Sequence, residues 1–215
     1  SGGFAQPESA AFQWDFDGDG TFEKSGEEVT HTYDEHGTKA VTLNVTDSRG
    51  NSSTATTYVQ VADVSPPNAV AGADVDITDG NLSVDEGETV EFNASDSSKN
   101  GTSIASYEWS FPDFEDDGQA AEQSGEIVTY RFSPGEQNGL GNYTVTLTVT
   151  DEAGNTNNTT LTVTVEDVTP PTAAAGTDIV AERGESFSFD ATGSTDNAEI
   201  DAYEWDVPGR ETNLT

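Results

Sequence analysis

Three aspartates near the start of the sequence have the spacing of a calcium-binding loop. Asp15, Asp17 and Asp19 alternate along the chain, and Gly20 follows them directly. In such a loop the alternate carboxylates turn toward one ion, and the glycine permits the sharp bend that brings them together. The pattern predicts that calcium is bound as a cofactor through Asp15, Asp17 and Asp19.

The same residues have a second interpretation that requires no metal. A complete helix-flanked calcium loop carries a glutamate at its twelfth position, whereas this chain has Gly26 there, with Glu23 and Glu27 close by. Aspartate and glycine are also typical of tight turns, where carboxylates accept backbone hydrogen bonds and glycine adopts positive φ. A plain hairpin turn is therefore the alternative. Acids at two later positions, Asp63 and Asp167, give a weaker indication of cation binding.

The sequence is rich in acceptor tripeptides for N-glycosylation, in which asparagine stands two residues before serine or threonine. Nine asparagines have this context: Asn44, Asn51, Asn81, Asn93, Asn100, Asn142, Asn157, Asn158 and Asn213. Asn44 lies between Leu43 and Val45, so its side chain faces outward if those two face a core. We expect N-glycosylation, and hence export. The alternative is that turns and threonine-rich strands produce the tripeptide by accident.

Catalytic chemistry has little support in the residue types. The chain has no cysteine, and His31 and His36 are its only histidines, so a nucleophile and its base would have to use one of them with a serine or threonine. No neighbouring residue suggests the third, orienting group of a triad. Carboxylate pairs are too abundant to single any out. We predict a non-enzymatic protein in which both histidines are structural.

The elements that carry these residues are organised as repeats. An aromatic motif centred on tryptophan occurs at 12–16, 107–111 and 203–207, at intervals of 95 and 96 residues. Intervals of this size are typical of small β-sandwich domains. The tryptophans could serve as sugar-stacking platforms, but their equivalent places in a strand motif favour a buried role.

Two further motifs recur. A Thr-Asp-x-x-Gly-Asn motif at 46–51 returns at 150–155, and a segment ending in Pro-Pro at 61–67 returns 104 residues later at 165–171. Consecutive prolines prevent regular strand pairing and stiffen a connection. The two Pro-Pro segments therefore predict the joints between modules.

Between the motifs the chain alternates apolar and polar residues with a period of two, which is the signature of strands with one buried face. The apolar members are Val41, Leu43, Val45, Tyr143, Val145, Leu147, Val149, Leu161, Val163 and Val165. The turn at 151–155 joins the last two of these series, which predicts a terminal hairpin. The sequence predicts an all-β, antiparallel sandwich fold.

Three segments of the first repeat resemble a known family. They are Trp-Asp-Phe-Asp-Gly-Asp-Gly at 14–20, Val-Thr-His-Thr-Tyr at 29–33, and the strand at 37–47. Together they resemble the polycystic kidney disease (PKD) domain, and the resemblance covers essentially the whole chain. It implies tandem immunoglobulin-like sandwiches on surface proteins, a strand at 29–33, and buried tryptophans. The first of these segments contains an Asp-rich turn. The later repeats have other residues at the corresponding positions, 110–112 and 206–209.

Alignment of the repeats gives three parts. Residues 1–64 are the C-terminal part of one PKD-like repeat, 65–168 a complete repeat, and 169–215 the N-terminal part of a third. One explanation is that this chain is a piece of a longer tandem protein. A second hypothesis is strand donation, in which the tail of one copy completes the head of the next. That contact would build a ring or a filament.

Composition points to an unusual solvent. The chain has 41 acidic against 7 basic residues, a net charge of −34, and at molar salt the Debye length falls to about 3 Å, which screens such repulsion. We therefore expect an extreme halophile. The charge disfavours nucleic acid and anionic membranes as partners. The sequence contains no apolar run of about 20 residues, which is the feature that would predict membrane insertion.

These observations predict a non-catalytic, structural or adhesive module array at the extracellular cell surface of a halophile, as in a surface layer, an adhesin stalk or a filament. Expected partners are neighbouring repeats or copies of the chain, and cell-surface proteins or glycans. The alternative is that the modules are spacers or substrate-docking accessories of a secreted hydrolase. A third possibility, a specific ligand-binding module, would require an exposed aromatic patch.

Overall fold

The computed structural model describes residues 11–112, 120–133 and 140–206, and these residues form twelve β-strands without any helix. No helix in this described part is long and apolar enough to cross a membrane. The predicted all-β class is confirmed. The repeat boundaries at 64 and 168 stay a prediction.

The chain forms two compact units. The first contains Ser1–Pro66, Lys99–Ser103 and Asp151–Asn155, and the second contains Pro67–Ser98, Ile104–Thr150 and Thr156–Thr215. Two turns from later in the sequence, at 99–103 and 151–155, thus belong with the first unit.

The first unit is built on one antiparallel sheet in the order β2-β1-β3-β4. Its strands are β1 (Ala11–Asp15), β2 (Lys24–Ser25), β3 (Gly37–Thr46) and β4 (Ser52–Val61). Val41 is buried, whereas Leu43 and Val45 are half-buried and Tyr58 on β4 is 70% exposed. One face of this sheet is therefore only partly covered by the described residues.

The second unit is a sandwich of two sheets, ordered β10-β7-β5 and β6-β12-β11-β8-β9. Its strands are β5 (Gly72–Ala73), β6 (Asn81–Asp85), β7 (Thr89–Asn93), β8 (Ile104–Ser110), β9 (Glu122–Ser124), β10 (Ile127–Arg131), β11 (Gly141–Asp151) and β12 (Thr156–Glu166). The predicted β11–β12 hairpin pairs antiparallel from Gly141 with Val165 to Thr150 with Thr156. One pair, β6 with β12, is parallel.

The core of the second unit lies between its two sheets. Val145, Leu147 and Val149 are fully buried, as the period of two predicts, and they share the core with aromatic rings. The ring centroid of Phe92 on β7 lies 5.6 Å from that of Trp109 on β8. Burying each such side chain contributes about 1.5–3 kcal/mol to the stability of the fold. This core therefore holds β8 and β11 in place.

Two segments that the repeats predict to be strands do not form strands in the described structure. Residues 29–33 and 203–206 contain none, although their counterparts lie in β10 and β8. The reason is pairing: β10 is hydrogen-bonded along β7, and β8 is flanked by β9 and β11. Neither segment has such a neighbour among the described residues, and an unpaired strand is not stable alone.

Candidate functional site

The predicted calcium loop begins where β1 ends. Asp15 is the last residue of β1 and is buried, with 4% of its surface exposed. Its Oδ1 accepts hydrogen bonds from the backbone N–H groups of Gly18 (2.7 Å) and Asp17 (3.2 Å), and its Oδ2 accepts one from Gly20 (3.0 Å). The loop is therefore wrapped around the Asp15 carboxylate.

Glycine conformation and side-chain caps shape the rest of the loop. Gly18 and Gly20 have φ of 78° and 87°, in the region that other residues avoid. Asp17 Oδ1 accepts from the N–H of Asp19 at 3.1 Å, and Asp19 Oδ1 accepts from that of Thr21 at 2.6 Å. Each aspartate thus caps the backbone two residues further on.

Glu23 joins the three predicted aspartates. One carboxylate oxygen from each of Asp15, Asp17, Asp19 and Glu23 lies within 4.8 Å of the others. Glu23 Oε2 also accepts a hydrogen bond from a loop N–H at 2.8 Å. Glu23 is close to the twelfth position of the loop in the sequence, and it occupies the ninth position, which calcium loops also use. Glu27 is not in the group.

The loop is negative at neutral pH. Burial raises the pKa of Asp15, but the loop N–H groups, first that of Gly18, outweigh it and hold the pKa below its usual value of 3.8. Beside the loop, burial and the charges of Asp15, Asp17 and Glu23 raise the pKa of Tyr33. The lowered pKa of Asp15 favours its charged carboxylate, and the raised pKa of Tyr33 favours its neutral phenol.

Four convergent carboxylates are the chemistry that calcium prefers, since this ion takes six to eight oxygen ligands at 2.3–2.6 Å. Each carboxylate here has lone pairs beyond those that accept N–H bonds. The same N–H bonds, however, also account for the turn without a metal. Calcium at this loop therefore stays a prediction.

His31 lies beside the loop as an aromatic packing group. Its ring is stacked on Phe16 at 4.2 Å with an interplanar angle of 6°. In the second unit, Phe111 and Tyr130 form the corresponding stack at 4.3 Å and 4°. The imidazole therefore occupies the place of a core aromatic ring.

Asp63, at the first predicted joint, is clasped by backbone donors. Its Oδ1 accepts from the N–H of Ser65 at 2.9 Å, and its Oδ2 accepts from that of Thr102 at 2.6 Å. These two bonds hold the pKa of Asp63 below its usual value. Gly101 has φ of 139°, and a Cβ at this position would overlap the Asp63 carboxylate. The sequence motifs do not predict this contact, because Asp63 and Gly101 are far apart in the chain.

The recurring Thr-Asp-x-x-Gly-Asn motif forms the same turn twice. Asp151, which is 3% exposed, accepts from the backbone and side-chain nitrogens of Asn155 at 2.8 and 3.0 Å. Asp47 accepts the equivalent bonds from Asn51 at 2.8 and 2.9 Å. Asn155 Nδ2 also donates to the Asp63 carbonyl at 3.2 Å, so this turn supports the clasp.

The second predicted joint uses different partners. Asp167 Oδ1 accepts from the N–H of Thr169 at 3.0 Å, as Asp63 does from Ser65. Glu86 Oε2 accepts from Asn197 Nδ2 at 2.6 Å, and the Thr169 hydroxyl donates to Glu86 Oε1. Within the described residues, the group of acids with metal-ligand spacing is the Asp15 loop, and it includes neither Asp63 nor Asp167.

The predicted glycosylation asparagines fall in different environments. Asn51, Asn81, Asn100, Asn142, Asn157 and Asn158 are exposed, Asn44 and Asn93 are half-buried, and Asn213 lies outside the described residues. Six of these side chains make hydrogen bonds within the described residues: those of Asn44, Asn51, Asn81, Asn93, Asn142 and Asn157.

The tryptophans serve the fold. Trp109 is fully buried, and Trp14 and Trp205 are half-buried. A cavity of about 290 Å³ lies beside Trp205, and Ala174, Ala191 and Ile200 contribute to its mostly apolar lining. The lining contains no histidine that could act as a catalytic base. Its mostly apolar residues are those of a sandwich core that is not completely filled.

Comparison with known proteins gives one family model and several similar solved structures. The sequence model described as "PKD domain" matches residues 3–61 and 65–166. The chain is similar to the PKD1 domain from Vibrio cholerae metalloprotease PrtV, at 28% identity over 47% of this chain and 98% of that one, with a TM-score of 0.33. It is also similar to the PKD1 domain of Vibrio anguillarum Epp, at 29% identity over 48% and 96% of the two chains, with a TM-score of 0.34.

PKD domains are typically extracellular modules without catalytic activity of their own. The two matched segments together make up more than half of the sequence and include the Asp15 loop, both Thr-Asp-x-x-Gly-Asn turns and the complete sandwich of the second unit. The chain belongs to the PKD domain family.

Proposed function

We propose that this chain is a structural or adhesive segment of a glycosylated protein at the cell surface of an organism that lives in molar salt. The observation that carries the proposal is the clasp at Asp63. A segment whose carboxylate is held by Ser65 and Thr102, with Gly101 admitting it closely, is fixed rather than free. A segment fixed locally in this way suits load bearing and spacing.

The surface chemistry supports the halophilic part of the proposal. The chain has a net charge of −34. Within the described residues one ion pair is formed, between Lys39 and Glu35 at 3.7 Å. Acidic residues far outnumber basic ones in the whole sequence, and a high salt concentration would screen their mutual repulsion.

Calcium at the Asp15 loop is part of the same proposal. The four oxygens within 4.8 Å support it, and the ion would neutralise charge that the loop's N–H donors offset only in part. Bound calcium would stiffen the first unit, because it would tie the end of β1 to Glu23 on the returning chain.

A second copy of the chain is the proposed partner. In the second unit, Val90 and Phe92 on β7 are fully buried against the facing sheet. The third repeat has Phe187 and Phe189 at the corresponding places, and they are 53% and 41% exposed. Residues 169–206 thus offer the apolar groups that a sheet like that of the first unit would bury by strand donation.

Light scattering in molar salt tests this partner. Head-to-tail association gives masses that are multiples of 22.6 kDa, and Phe189→Asp should return the chain to monomer because it places a charge in the contact. A monomer at high protein concentration would refute association between copies. That result would leave covalently linked neighbouring repeats as the partners.

The function itself is tested on native material removed from intact cells without proteolysis. Intact mass and peptide sequencing should show further repeats, sugar and an anchor. Peptides from a catalytic domain in the same polypeptide would overturn the structural proposal in favour of a spacer in a secreted hydrolase. Recovery only from lysed cells would overturn the surface location.

A further inference from the structure

Polar, uncharged residues make up most of the outward face of the β11–β12 hairpin, and Glu166 adds a carboxylate at the end of β12. Valine and leucine occupy the buried face, and the opposite face carries eight threonines and two asparagines in five cross-strand pairs. The pairs are Asn142 with Thr164, Thr144 with Thr162, Thr146 with Thr160, Thr148 with Asn158, and Thr150 with Thr156. In a chain of net charge −34, none of these ten paired residues carries a carboxylate.

Both asparagines on this face are in acceptor tripeptides. Residues i and i+2 of a strand project to the same side, so the acceptor amide and the hydroxyl of its tripeptide lie together on the surface. Asn142 and Thr144 are both exposed, and so are Asn158 and Thr160. Each tripeptide is therefore presented whole to solvent by a rigid strand.

Hydrogen bonding leaves these two amide nitrogens available. Asn142 uses its carbonyl, since Oδ1 accepts from the Thr164 hydroxyl at 2.7 Å. That bond orients the side chain without engaging Nδ2. Among the described residues, neither Asn142 Nδ2 nor Asn158 Nδ2 has a protein acceptor.

Asn157 is the neighbour that differs. It lies on the opposite side of β12, and its Nδ2 donates to the Pro67 carbonyl at 3.0 Å. A sugar on this nitrogen would have to displace that contact. Its tripeptide threonine, Thr159, is half-buried. Asn157 therefore fits a structural role, although it is one residue from Asn158.

Other acceptor asparagines also have engaged groups. The amide nitrogens of Asn44, Asn51 and Asn81 donate to Gln13 Oε1 (3.2 Å), Asp47 Oδ2 (2.9 Å) and the Asp79 carbonyl (3.1 Å). Asn100 is exposed, but the hydroxyl of its tripeptide residue, Thr102, is buried.

We propose that Asn142 and Asn158 are the N-glycosylated residues of the β11–β12 hairpin, and that Asn157 is not modified. In the reaction, Nδ2 bonds to the anomeric carbon of a lipid-linked oligosaccharide as the bond from that carbon to phosphate breaks. The amide loses one proton to a base of the cell's transferase. The glycans cover the five threonine-rich pairs with hydroxyl groups. This inference rests on the proposed function, because glycosylation requires export.

Glycopeptide sequencing of the native surface protein tests it, with fragmentation that separates position 157 from 158. Sugar is expected on Asn142 and Asn158 and not on Asn157. In the native host, Asn142→Gln and Asn158→Gln should each remove the mass of one glycan. Asn157→Gln should leave the glycan mass unchanged and lower Tm by several degrees, because it loses the Pro67 contact.

Two results would overturn the assignment. One is sugar on Asn157, including its appearance there when Asn158 is replaced. The other is a bare Asn142 or Asn158. The proposed function is judged separately, by whether the protein is released from intact cells, so a surface protein with a bare hairpin refutes this inference alone.

Discussion

The indole nitrogen of Trp109 donates a hydrogen bond to the Gly125 carbonyl at 3.0 Å, and Gly125 has φ of 146°. Trp14 makes the same bond to Gly26, at 2.9 Å, and Gly26 has φ of 143°. The same geometry thus links Trp14 and Trp109 to the glycine that follows the next strand. The tryptophan is both a core side chain and a backbone clamp.

Replacing this clamp should destabilise the second unit more than the first. We expect Trp109→Phe to lower the free energy of unfolding by about 2 kcal/mol, since it leaves a cavity and an unpaired carbonyl. Trp14→Phe is the matched control, and its effect should be smaller because Trp14 is half-buried. Denaturant melts in molar salt measure both. Equal losses would contradict the role of burial.

Gly101→Ala should disrupt the Asp63 clasp. The new Cβ would meet the Asp63 carboxylate at a φ of 139°, and the combined strain should cost about 2 kcal/mol. Gly50→Ala is the control, because Gly50 also has positive φ, 84°, but has no atom within 4 Å of the Cβ position. It should lose about 1 kcal/mol. If thermal melts show the control to be the more damaging, the clasp is not stabilising.

Removing calcium at constant ionic strength should lower the Tm of the first unit, because an ion that binds only the folded state stabilises it. Asp17→Asn should abolish this response. Asp34→Asn removes the same charge from an exposed position outside the loop and should leave the response intact. Calorimetry with and without chelator gives the answer. A chelator that changes neither unit would leave the loop as a hairpin turn.

Acid should destabilise the Asp151 turn. Burial raises the pKa of Asp151, but the Asn155 side chain and backbone outweigh it, so the folded pKa lies below 3.8. A depressed folded pKa contributes stability above the unfolded pKa, and this stability is lost as pH falls through the folded value. Asp151→Asn should therefore flatten the fall in Tm below about pH 4. Acid also protonates other carboxylates, and the resulting relief of charge repulsion would oppose the fall in Tm. Molar salt during the measurement screens that repulsion and so suppresses the opposing effect.

Lowering the salt concentration should unfold the chain. At a net charge of −34, carboxylate repulsion grows as the Debye length rises from about 3 Å at 1 M to about 30 Å at 0.01 M. Circular dichroism should show loss of β-sheet signal on dialysis, recovered when salt is restored. Retention of the sheet signal in dilute buffer would refute the halophilic adaptation.

The sequence by itself determined the all-β class, the β11–β12 hairpin and the aspartate loop, because alternation and turn residues are local and act over a few positions. Only the tertiary structure decided that Glu23 joins the loop, that Gly101 admits Asp63, and that 29–33 forms no strand. Each of these depends on which distant segment lies opposite. A period of two can be read from neighbouring residues in the sequence, but the partner of a hydrogen bond cannot. For the same reason, only the structure shows which acceptor, if any, the side-chain amides of Asn157 and Asn158 meet.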